Sequence, residues 1–304
     1  MRITVTGATG GIGSLLVSAL LERGDDVTVL SRSAASAREK LGDGITAVEW
    51  DPSAGPAPAS ALEGRDAVVN LAGESVDQRW TDDAKARILG SRVDGTRHLV
   101  DGLRALDADA RPVTLVSGSA AGIYGDRRDP IDESAGPGEG FLPTVATAWE
   151  AEAHKAEDLG LRVVLIRTGD VLMEGSGVLP TLAKITKLGV SGPLGGGRQP
   201  FPWIHVVDEV GLILHAIDSH RAHGPINAVA PGLVTQGQFA RCLGKVLHRP
   251  AFAPAPTFAV KLIVGDMAEL ILEGAAAQPA AARDLGYTFA FPELQSALED
   301  LLTA

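Results

Sequence analysis

The pattern of apolar and polar positions along the first half of the chain alternates between two periods. Short runs of apolar residues predict strands at 2–7, 25–32, 45–51, 65–73, 112–120 and 161–169. Longer runs with apolar residues at helical spacing predict helices at 11–23, 81–105 and 143–159. Strands that are apolar throughout and separated by helices indicate a parallel sheet covered on both faces. The predicted fold class is therefore α/β, with a doubly wound parallel sheet.

This alternation ends after about residue 172. Residues 192–210 form a loop rich in glycine and proline that runs into a short strand and a helix beginning near Asp208. The remaining chain predicts short helices and strands, with a proline-rich link at 249–258. We therefore expect a first domain over 1–172 with a further contribution from about 203–230, and a smaller C-terminal lobe from 173–202 and 231–304.

Composition narrows the function classes. The formal net charge of −11 argues against a nucleic-acid partner, because neutralising phosphates needs a clustered basic surface. The single cysteine, Cys242, excludes an intramolecular disulfide and a cysteine-rich metal site, and we expect no metal. No run approaches the ~18 apolar residues of a membrane span, and the N-terminus lacks the pattern of a signal peptide. We expect a cytoplasmic monomer or homodimer with no membrane partner.

A glycine-rich turn, TGATGGIG at 6–13, joins the first predicted strand to the first helix. In such a turn Gly7 permits the tight bend, Gly10 lets the backbone approach a pyrophosphate, and Gly13 allows close packing of helix on strand. The helix N-terminus adds unpaired N–H groups for phosphate. A glycine turn without a ligand is the alternative, but its position between strand and amphipathic helix favours a dinucleotide site. The expected contacts are Gly7, Thr9, Gly10, Gly11, Ile12 and Gly13.

The end of the second predicted strand indicates which dinucleotide to expect. An NAD site places an acidic residue here to bind the ribose 2′-hydroxyl, whereas this chain has Ser31-Arg32-Ser33 and no carboxylate. Arg32 can pair with a 2′-phosphate, since its planar guanidinium suits that dianion, and Ser31 and Ser33 can donate hydrogen bonds beside it. A solvated surface arginine is the alternative. The absence of an acid favours NADP(H) as the cofactor.

Two further strand ends fit the same cofactor. Asp51, after the third strand, is expected either to accept a hydrogen bond from the adenine amino group or to cap the turn at Pro52. After the fourth strand, the stretch Leu71, Ala72 and Gly73 is expected to let the chain pass close to the cofactor.

These motifs resemble the extended short-chain dehydrogenase/reductase superfamily, through TGATGGIG, NLAG, SGSAAGIYG, RTGDVL and WIHVVDEV. More narrowly, the chain is similar to YfcH-type epimerase family proteins, described as predicted nucleoside-diphosphate-sugar epimerases, through RWTDDAKARILGSRVDGTRHLV, SGPLGGGRQPFPWIHVVD and the stretch 254–302. The resemblance implies a Rossmann domain that binds NADP(H), a substrate cleft beside the C-terminal lobe, and Arg167 among the cofactor-binding residues. In typical members it also implies a catalytic tyrosine with a lysine four residues later, and a serine that holds the substrate oxygen.

The third predicted helix departs from that pattern. Typical members have a glutamate four residues after the lysine, and counting back from Arg167 makes Glu150 that glutamate. The lysine position is then Ala146 and the tyrosine position Leu142, and residues 141–154 contain neither tyrosine nor lysine. We therefore predict that this helix supplies no acid–base group, and that Leu142 and Ala146 are apolar filler beside the nicotinamide.

Other residues are candidates for the missing chemistry. Ser119, with Ser117 as second choice, matches the serine that orients the substrate. Tyr124 follows the fifth strand and is either a catalytic acid or a packing residue. Asp208 is expected to cap the helix that follows it. The candidate substrate ligands are Arg92 (or else a helix-surface arginine), Arg198 in the glycine loop, and His205 near the cleft.

Three functions are compatible with these residues. The first is an NADP(H)-dependent oxidoreductase that acts on a small carbonyl or sugar-like substrate with an unusual proton donor. The second is a nucleotide-sugar epimerase, although such an enzyme must retain its oxidised cofactor and usually uses NAD, so Arg32 argues against it. The third is a dinucleotide-sensing regulatory or scaffold protein, which the missing tyrosine–lysine pair favours. The elaborate second lobe indicates a real substrate, and we favour the first function, an enzyme with a small-molecule substrate.

Overall fold

The structure is a computed structural model that describes residues 1–189, 191–251 and 254–303. Its strands are β1 Arg2–Thr6, β2 Asp26–Ser31, β3 Thr46–Glu49, β4 Ala67–Asn70, β5 Thr114–Ala120, β6 Arg127–Ile131, β7 Arg162–Thr168, β8 Asp170–Leu172, β9 Pro200–Phe201, β10 Trp203–His205, β11 Gly224–Ala228, β12 Val234–Thr235 and β13 Ala275–Ala277. Its α-helices are α1 Gly11–Glu22, α2 Ala34–Leu41, α3 Ala59–Leu62, α4 Asp82–Arg104, α5 Phe141–His154, α6 Val178–Lys187, α7 Val206–Asp218, α8 Gln236–Val246, α9 Thr257–Val264, α10 Ala268–Leu272, α11 Ala280–Asp284 and α12 Leu294–Thr303. Residues 252–253 of the predicted proline-rich link lie outside the described residues.

The central sheet has the strand order β11-β7-β5-β4-β1-β2-β3, and all these pairings are parallel. The chain runs outward from β1 in both directions, with β2 on one side and β4 on the other. Every strand predicted from the apolar pattern belongs to this sheet, which confirms the doubly wound parallel fold. β11, which that pattern does not single out, extends the sheet beside β7 and lies within 203–230.

Successive strand residues point to opposite sides of the sheet, so apolar strands present apolar side chains on both faces. Helices cover both of these faces. On one face, Val5, Val69 and Val116 join an apolar core that includes residues of α1 and α7. On the other face, Val68 and Leu115 join a core with residues of α3, α4 and α5. Each large apolar side chain buried this way stabilises the fold by about 1.5–3 kcal/mol relative to exposure. The strands are therefore apolar on both faces, as in other parallel sheets.

The first helices of the sheet begin in different ways. α4 begins after Thr81, whose hydroxyl accepts a hydrogen bond from the N–H of Ala84, and Asp82 adds a negative charge beside the positive helix end. α1 begins after Gly10, which has no side chain to cap the helix. The N–H groups in the first turn of α1 are therefore left open at the carboxyl edge of the sheet.

A third apolar cluster forms around the aromatic side chains of Trp203 and Phe239. Helices α6, α8 and α12 surround them with apolar residues that include Leu179, Leu243 and Leu298. These residues form a cluster distinct from the two that cover the sheet. The cluster combines residues of the predicted C-terminal lobe with Trp203 and Ala230 from the 203–230 segment.

Helix α5 differs from its sequence pattern, which predicts a helix over 143–159. The α-helix begins two residues earlier, at Phe141, and ends at His154, and a 3-10 turn at Glu157–Leu159 follows. Gly160 then adopts a left-handed conformation with φ of +88°, which ends the helical stretch.

Among the described residues, no helix is both long enough and apolar enough to cross a bilayer. α4 has 23 residues, but its first two turns carry Asp82, Asp83, Lys85 and Arg87. The same part of the chain holds no group of three or more histidine, cysteine, aspartate or glutamate side chains arranged for a metal ion.

Candidate functional site

A cavity of about 440 Å³ opens at the carboxyl edge of the central sheet. The glycine turn, the ends of β5 and β7, and helices α4, α5 and α7 contribute to its wall. Side chains on this wall include Arg92, Ser119, Trp149, Thr168, Asp170 and Glu209. The glycine turn and these polar side chains therefore line the same cavity.

The glycine turn leaves its backbone open to a ligand. Gly7 has φ of +67°, and a Cβ there would come within 2.6 Å of the carbonyl group of Leu71. A Cβ at Gly13 would collide with the carbonyl oxygen of Gly7, so α1 packs directly on the turn. A Cβ at Gly10 would meet only that same oxygen, at 3.2 Å. These geometries suit the three roles predicted for the glycines, and the open space at Gly10 suits a pyrophosphate. Gly11 and Ile12 line the same cavity.

Lys40 is a residue near this turn that the sequence pattern does not single out. It lies on α2, and its Nζ donates a hydrogen bond to the carbonyl oxygen of Thr9 at 2.7 Å. This contact places a positive charge on the exposed side of the turn, where it can attract phosphate. A lone lysine on a polar helix carries no recognisable signal, so the tertiary structure is needed to bring it to the turn.

The residues predicted to recognise the adenosine end lie at the carboxyl ends of β2 and β3, outside the cavity wall. Arg32 is exposed there. Oδ1 of Asp51 accepts hydrogen bonds from the N–H and the hydroxyl of Ser53, at 2.9 and 2.7 Å. These bonds, with a smaller contribution from the charge of Arg32, lower the pKa of Asp51. Asp51 therefore caps the turn at Pro52, which is one of its two predicted roles.

The two serines beside Arg32 are engaged within the protein. Oγ of Ser33 accepts a hydrogen bond from the N–H of Ser36 at 3.2 Å and caps α2. Oγ of Ser31 accepts one from the N–H of Ser33 at 3.4 Å. Ser33 is thus the N-cap of α2, because the first turn of a helix leaves N–H groups that a serine hydroxyl can satisfy.

The stretch after β4 passes close to the glycine turn and to Arg92. Leu71 lines the cavity, and the N–H of Ala72 donates to Oγ1 of Thr6 at 3.2 Å. A Cβ at Gly73 would lie 3.1 Å from the guanidinium carbon of Arg92. A side chain at position 73 would therefore press on Arg92.

The structure places Arg92 on the cavity wall, so it is not an outer-surface residue of α4. Its Nη1 donates hydrogen bonds to the backbone oxygens of Glu74 and Ile88, at 2.8 and 3.2 Å. Its guanidinium carbon lies 5.2 Å from the ring centre of Trp149. Burial lowers the pKa of Arg92 to about 10, which still leaves it protonated at neutral pH. This wall of the cavity therefore carries a positive charge.

A buried network of hydrogen bonds supports Ser119. Oγ of Ser119 donates to Oε1 of Glu150 at 2.6 Å. Arg167 binds the same carboxylate through Nε and Nη2, at 2.8 and 2.9 Å. Burial acts to lower the pKa of Arg167, but the hydrogen bonds and charge of Glu150 raise it. Because its proton is directed to Glu150, Ser119 can accept a hydrogen bond from the cavity but must rotate its hydroxyl to donate one.

Tyr124 and Arg167 belong to this network and not to the cavity wall. Tyr124 is 0% exposed; its hydroxyl donates to Oδ1 of Asn227 at 2.7 Å and accepts from Nη1 of Arg167 at 2.8 Å. Burial raises the pKa of Tyr124 and so holds its proton more tightly. In this structure Tyr124 is a packing residue and Arg167 an ion-pair residue, a geometry that argues against their predicted roles as proton donor and cofactor ligand.

Helix α5 presents an apolar surface to the cavity. The residues of α5 on the wall are Leu142, Pro143, Val145, Ala146 and Trp149. Lys155 is exposed and pairs with Glu152 at 2.8 Å. The second tyrosine of the chain, Tyr287, donates a hydrogen bond to Asp208 at 3.1 Å, away from the wall. In the described part of the chain, the cavity wall thus includes neither a tyrosine nor a lysine.

Four carboxyl residues on the cavity wall were not singled out by the sequence, and two of them, Glu209 and Asp170, have strongly raised pKa values. Glu209, in the first turn of α7, is 0% exposed. Its Oε1 accepts a hydrogen bond from the hydroxyl of Thr168 at 2.8 Å, and its Oε2 has no partner among the described residues. Burial raises the pKa of Glu209 to about 8 and that of Asp170 to about 7. An acidic residue early in a helix is common, so the sequence alone gives no signal that Glu209 is buried.

His205 does not line the cavity. Its ring stacks on Phe291 with ring centres 3.8 Å apart. Its Nδ1 accepts a hydrogen bond from the N–H of Val207 at 3.2 Å, and its Nε2 lies 3.3 Å from Asp300. Burial lowers the pKa of His205. His205 is therefore the cap of α7 and stacks on the C-terminal segment, a geometry that argues against its predicted role as a substrate ligand.

Asp208 differs from its predicted role as a helix cap, and Arg198 lies apart from the cavity. The two carboxylate oxygens of Asp208 accept hydrogen bonds from the N–H groups of Ala290 and Phe291, at 2.7 and 2.9 Å. Asp208 thus ties the C-terminal segment to α7, while the cap of that helix is His205. Arg198 is exposed and lies outside the cavity wall, after a glycine turn whose residues have positive φ.

Comparison with known proteins extends over the whole chain. Residues 3–229 match the model of the NAD dependent epimerase/dehydratase family, and residues 255–301 match a domain of unknown function, DUF1731. The chain is 38% identical to the chloroplastic epimerase family protein SDR39U1 homolog of Arabidopsis thaliana, over 99% of this chain and 87% of that protein. It is 36% identical to epimerase family protein YfhF of Bacillus subtilis, over 99% and 98%. A crystal structure of human epimerase family protein SDR39U1 (isoform2) with NADPH matches with a TM-score of 0.88 and 34% identity, over 100% of this chain and 99% of that chain.

Proposed function

The chain belongs to the NAD-dependent epimerase/dehydratase family, and on that basis we propose that it is an NADP(H)-dependent oxidoreductase of the extended short-chain dehydrogenase type. Its substrate is a small carbonyl or sugar-like compound. The observation that carries this proposal is that the glycine turn opens into the same cavity as Arg92 and Ser119. When bound, the nicotinamide supplies or accepts a hydride.

The residues around the glycine turn fit NADP(H) better than NAD. The uncapped start of α1 at Gly10 offers N–H groups to a pyrophosphate. Arg32 is exposed at the end of β2, where an NAD site would have a carboxylate. Lys40 adds a second positive charge beside the turn. The similarity to a human protein crystallised with NADPH agrees with this assignment.

The chain's own residues bind, orient and protect the reacting groups. Leu142 and Ala146 line the wall where typical relatives carry tyrosine and lysine, and they exclude water. Ser119 is held in one orientation by Glu150 and can accept a hydrogen bond from a substrate hydroxyl. Glu209 holds a proton at neutral pH beside the hydroxyl of Thr168, which also lines the cavity.

Two other functions have some support. The family description favours a nucleotide-sugar epimerase, but such an enzyme must retain oxidised cofactor, for which NAD is usual, and Arg32 argues for NADP(H). The absence of a tyrosine from the described cavity wall favours a protein that binds NADP(H) without turnover. The positive charge of Arg92 within the cavity instead supports the binding of a substrate beside the cofactor.

Cofactor preference is tested by calorimetry with NADPH and NADH. The wild type is expected to bind NADPH more tightly, and Arg32→Ala is expected to remove a charge-assisted contact worth about 1.5–3 kcal/mol while leaving NADH binding unchanged. Arg104→Ala is a matched control, since Arg104 is an exposed arginine at the far end of α4. Equal affinity of the wild type for both dinucleotides would disprove the NADP(H) assignment.

Turnover is tested by following NADPH absorbance with a panel of aldehydes, ketones and keto-sugars. The proposal expects oxidation of NADPH with at least one of them. Conversion of a nucleotide sugar to its epimer without net oxidation of NADPH would favour the epimerase. Binding of NADPH without either reaction would favour the regulatory function.

A further inference from the structure

The guanidinium of Arg92 is only partly paired. Nη1 directs its N–H groups to the backbone oxygens of Glu74 and Ile88. Within the described residues, no carboxylate lies within 4.0 Å of this guanidinium, and the carboxylate of Glu74 lies 3.6 Å from Arg87 instead. Nε and Nη2 form the side-by-side edge of the guanidinium and have no acceptor in the same part of the chain. One bidentate edge of a cavity-lining cation is therefore available to a ligand.

Trp149 adjoins Arg92 on the same wall and also lacks a partner. Its side chain is 7% exposed, and the guanidinium carbon of Arg92 lies 5.2 Å from its ring centre. Its Nε1 is buried and has no acceptor among the described residues. A buried donor without an acceptor costs about 1–3 kcal/mol. A tilt of the ring that brought this N–H to an acceptor atom in the cavity would remove that cost.

The cavity-lining side chains beside Arg92 and Trp149 are apolar, and the charge of Glu74 acts on Arg92 from outside the cavity wall. Val145 and Ala146, just before Trp149 on α5, line the cavity, and so does Val76, just after Glu74. A charge among apolar side chains is costly unless an opposite charge pairs with it. The carboxyl groups that line the cavity lie on other elements, at Asp170, Glu209, Glu269 and Glu273. A ligand anion is therefore expected at Arg92.

We propose that Arg92 and Trp149 form a subsite for a carboxylate of the substrate. Nε and Nη2 of Arg92 face the two carboxylate oxygens, and Nε1 of Trp149 donates to one of them. A carboxylate fits better than a phosphate, because the two parallel N–H groups of the guanidinium edge match two oxygens in one plane. The substrate is then a small carbonyl compound, or the corresponding alcohol, that carries a carboxylate group. This inference rests on the proposed function, since it names the substrate class for the same cavity.

The subsite is tested by ligand binding to the full chain saturated with NADP⁺. Benzoate and benzamide are matched probes, because they have nearly the same shape and differ in charge. Calorimetry is expected to show benzoate binding at least about tenfold more tightly, as a charge-assisted pair would give. Equal affinity for the two probes would overturn the proposal.

Variants separate the charge, the bidentate edge and the indole N–H. Arg92→Met keeps the length and removes the charge, and it is expected to abolish the preference for benzoate. Arg92→Lys keeps the charge without the edge and should retain part of the preference. Trp149→Phe keeps a ring and removes the N–H, and should weaken benzoate but not benzamide by about threefold to tenfold. Arg104→Met, at an exposed arginine at the far end of the same helix, should behave as wild type. A preference that survives Arg92→Met would overturn the proposal.

The cofactor itself is the competing partner of Arg92. We expect Arg92→Met to change NADPH affinity by less than about threefold, whereas a loss above about tenfold would assign Arg92 to the cofactor and overturn the subsite. With substrates, the ratio of kcat/KM for 4-carboxybenzaldehyde to that for its methyl ester should fall at least tenfold in Arg92→Met. If no carbonyl compound oxidises NADPH, the proposed function fails, but a benzoate preference that Arg92→Met removes would still support the subsite.

Discussion

Replacing Glu209 by glutamine is expected to make the free energy of unfolding less dependent on pH. Glu209 is 0% exposed on the cavity wall, with Thr168 as the hydrogen-bond partner of one oxygen and no partner at the other. Burial raises its pKa from the ordinary value of 4.5 to about 8. The folded protein therefore keeps this proton over a pH range in which the unfolded chain has lost it.

The sign of the effect follows from proton linkage. Between pH 4.5 and about 8, the folded state binds one more proton at Glu209 than the unfolded state, so stability falls as pH rises. The contribution is fully present below pH 4.5 and is lost as the pH rises through about 8. Each pH unit in this window costs about 1.4 kcal/mol, so the loss between pH 5.5 and 8 is about 3 kcal/mol. Glutamine has no proton to lose and lacks this term.

The assay is urea denaturation of wild type and Glu209→Gln at pH 5.5 and pH 8.5, with the difference between the two pH values compared. The wild type should lose about 3 kcal/mol more than the variant between these conditions. Glu22→Gln, at an exposed carboxylate on α1, is the matched control and should follow the wild type. Parallel losses in wild type and Glu209→Gln would refute the reasoning, because Glu209 would then ionise equally in the folded and unfolded states.

Three further predictions follow from the site. Gly10→Val should abolish NADP(H) binding measured by calorimetry with the circular dichroism spectrum unchanged, because the side chain would enter the open space beside the turn; normal NADPH affinity would show that the turn is misassigned. Arg167→Met should lower the free energy of unfolding by about 3–5 kcal/mol, since it leaves the buried carboxylate of Glu150 unpaired, and a loss below about 1 kcal/mol in urea denaturation would contradict this. Tyr124→Phe should leave any NADPH-oxidising activity unchanged and cost about 1–3 kcal/mol of stability, because Asn227 loses its donor, whereas a large fall in kcat would restore Tyr124 as the proton donor.

Much of the fold could be predicted because it depends on local patterns. The strands of the central sheet are apolar throughout, since both faces are buried, and that signal is readable residue by residue. Gly7, Gly10 and Gly13 identify the cofactor turn for a similar reason: Gly7 has a positive φ, a side chain at Gly13 would collide with the backbone, and a side chain at Gly10 would fill the space open to a ligand. The absence of a tyrosine–lysine pair could be read by counting from Arg167, since spacing along a helix and its flanking strand is a property of the sequence.

The roles of individual polar residues could not be predicted in the same way. Tyr124 and His205 have the residue type and the approximate position of a catalytic acid and a substrate ligand, respectively. The hydroxyl of Tyr124 instead bonds to Asn227, 103 residues away, and His205 stacks on Phe291. Nothing in the sequence around Glu209 or Lys40 indicates a role at the site. Yet Glu209 is buried on the cavity wall, and Lys40 donates a hydrogen bond to the glycine turn.

The sequence by itself therefore determined the parallel sheet, the glycine turn and the loss of the usual acid–base pair, because each depends on residue type and spacing over short distances. The tertiary structure decided which polar groups face the cavity and which form hydrogen bonds with buried partners. The physical reason is that a buried polar group must find a partner, and that partner is usually brought by a distant segment of the chain. Ser119 and Arg167 converge on one carboxylate of Glu150, while Arg92 and Trp149 retain donors that a ligand can use.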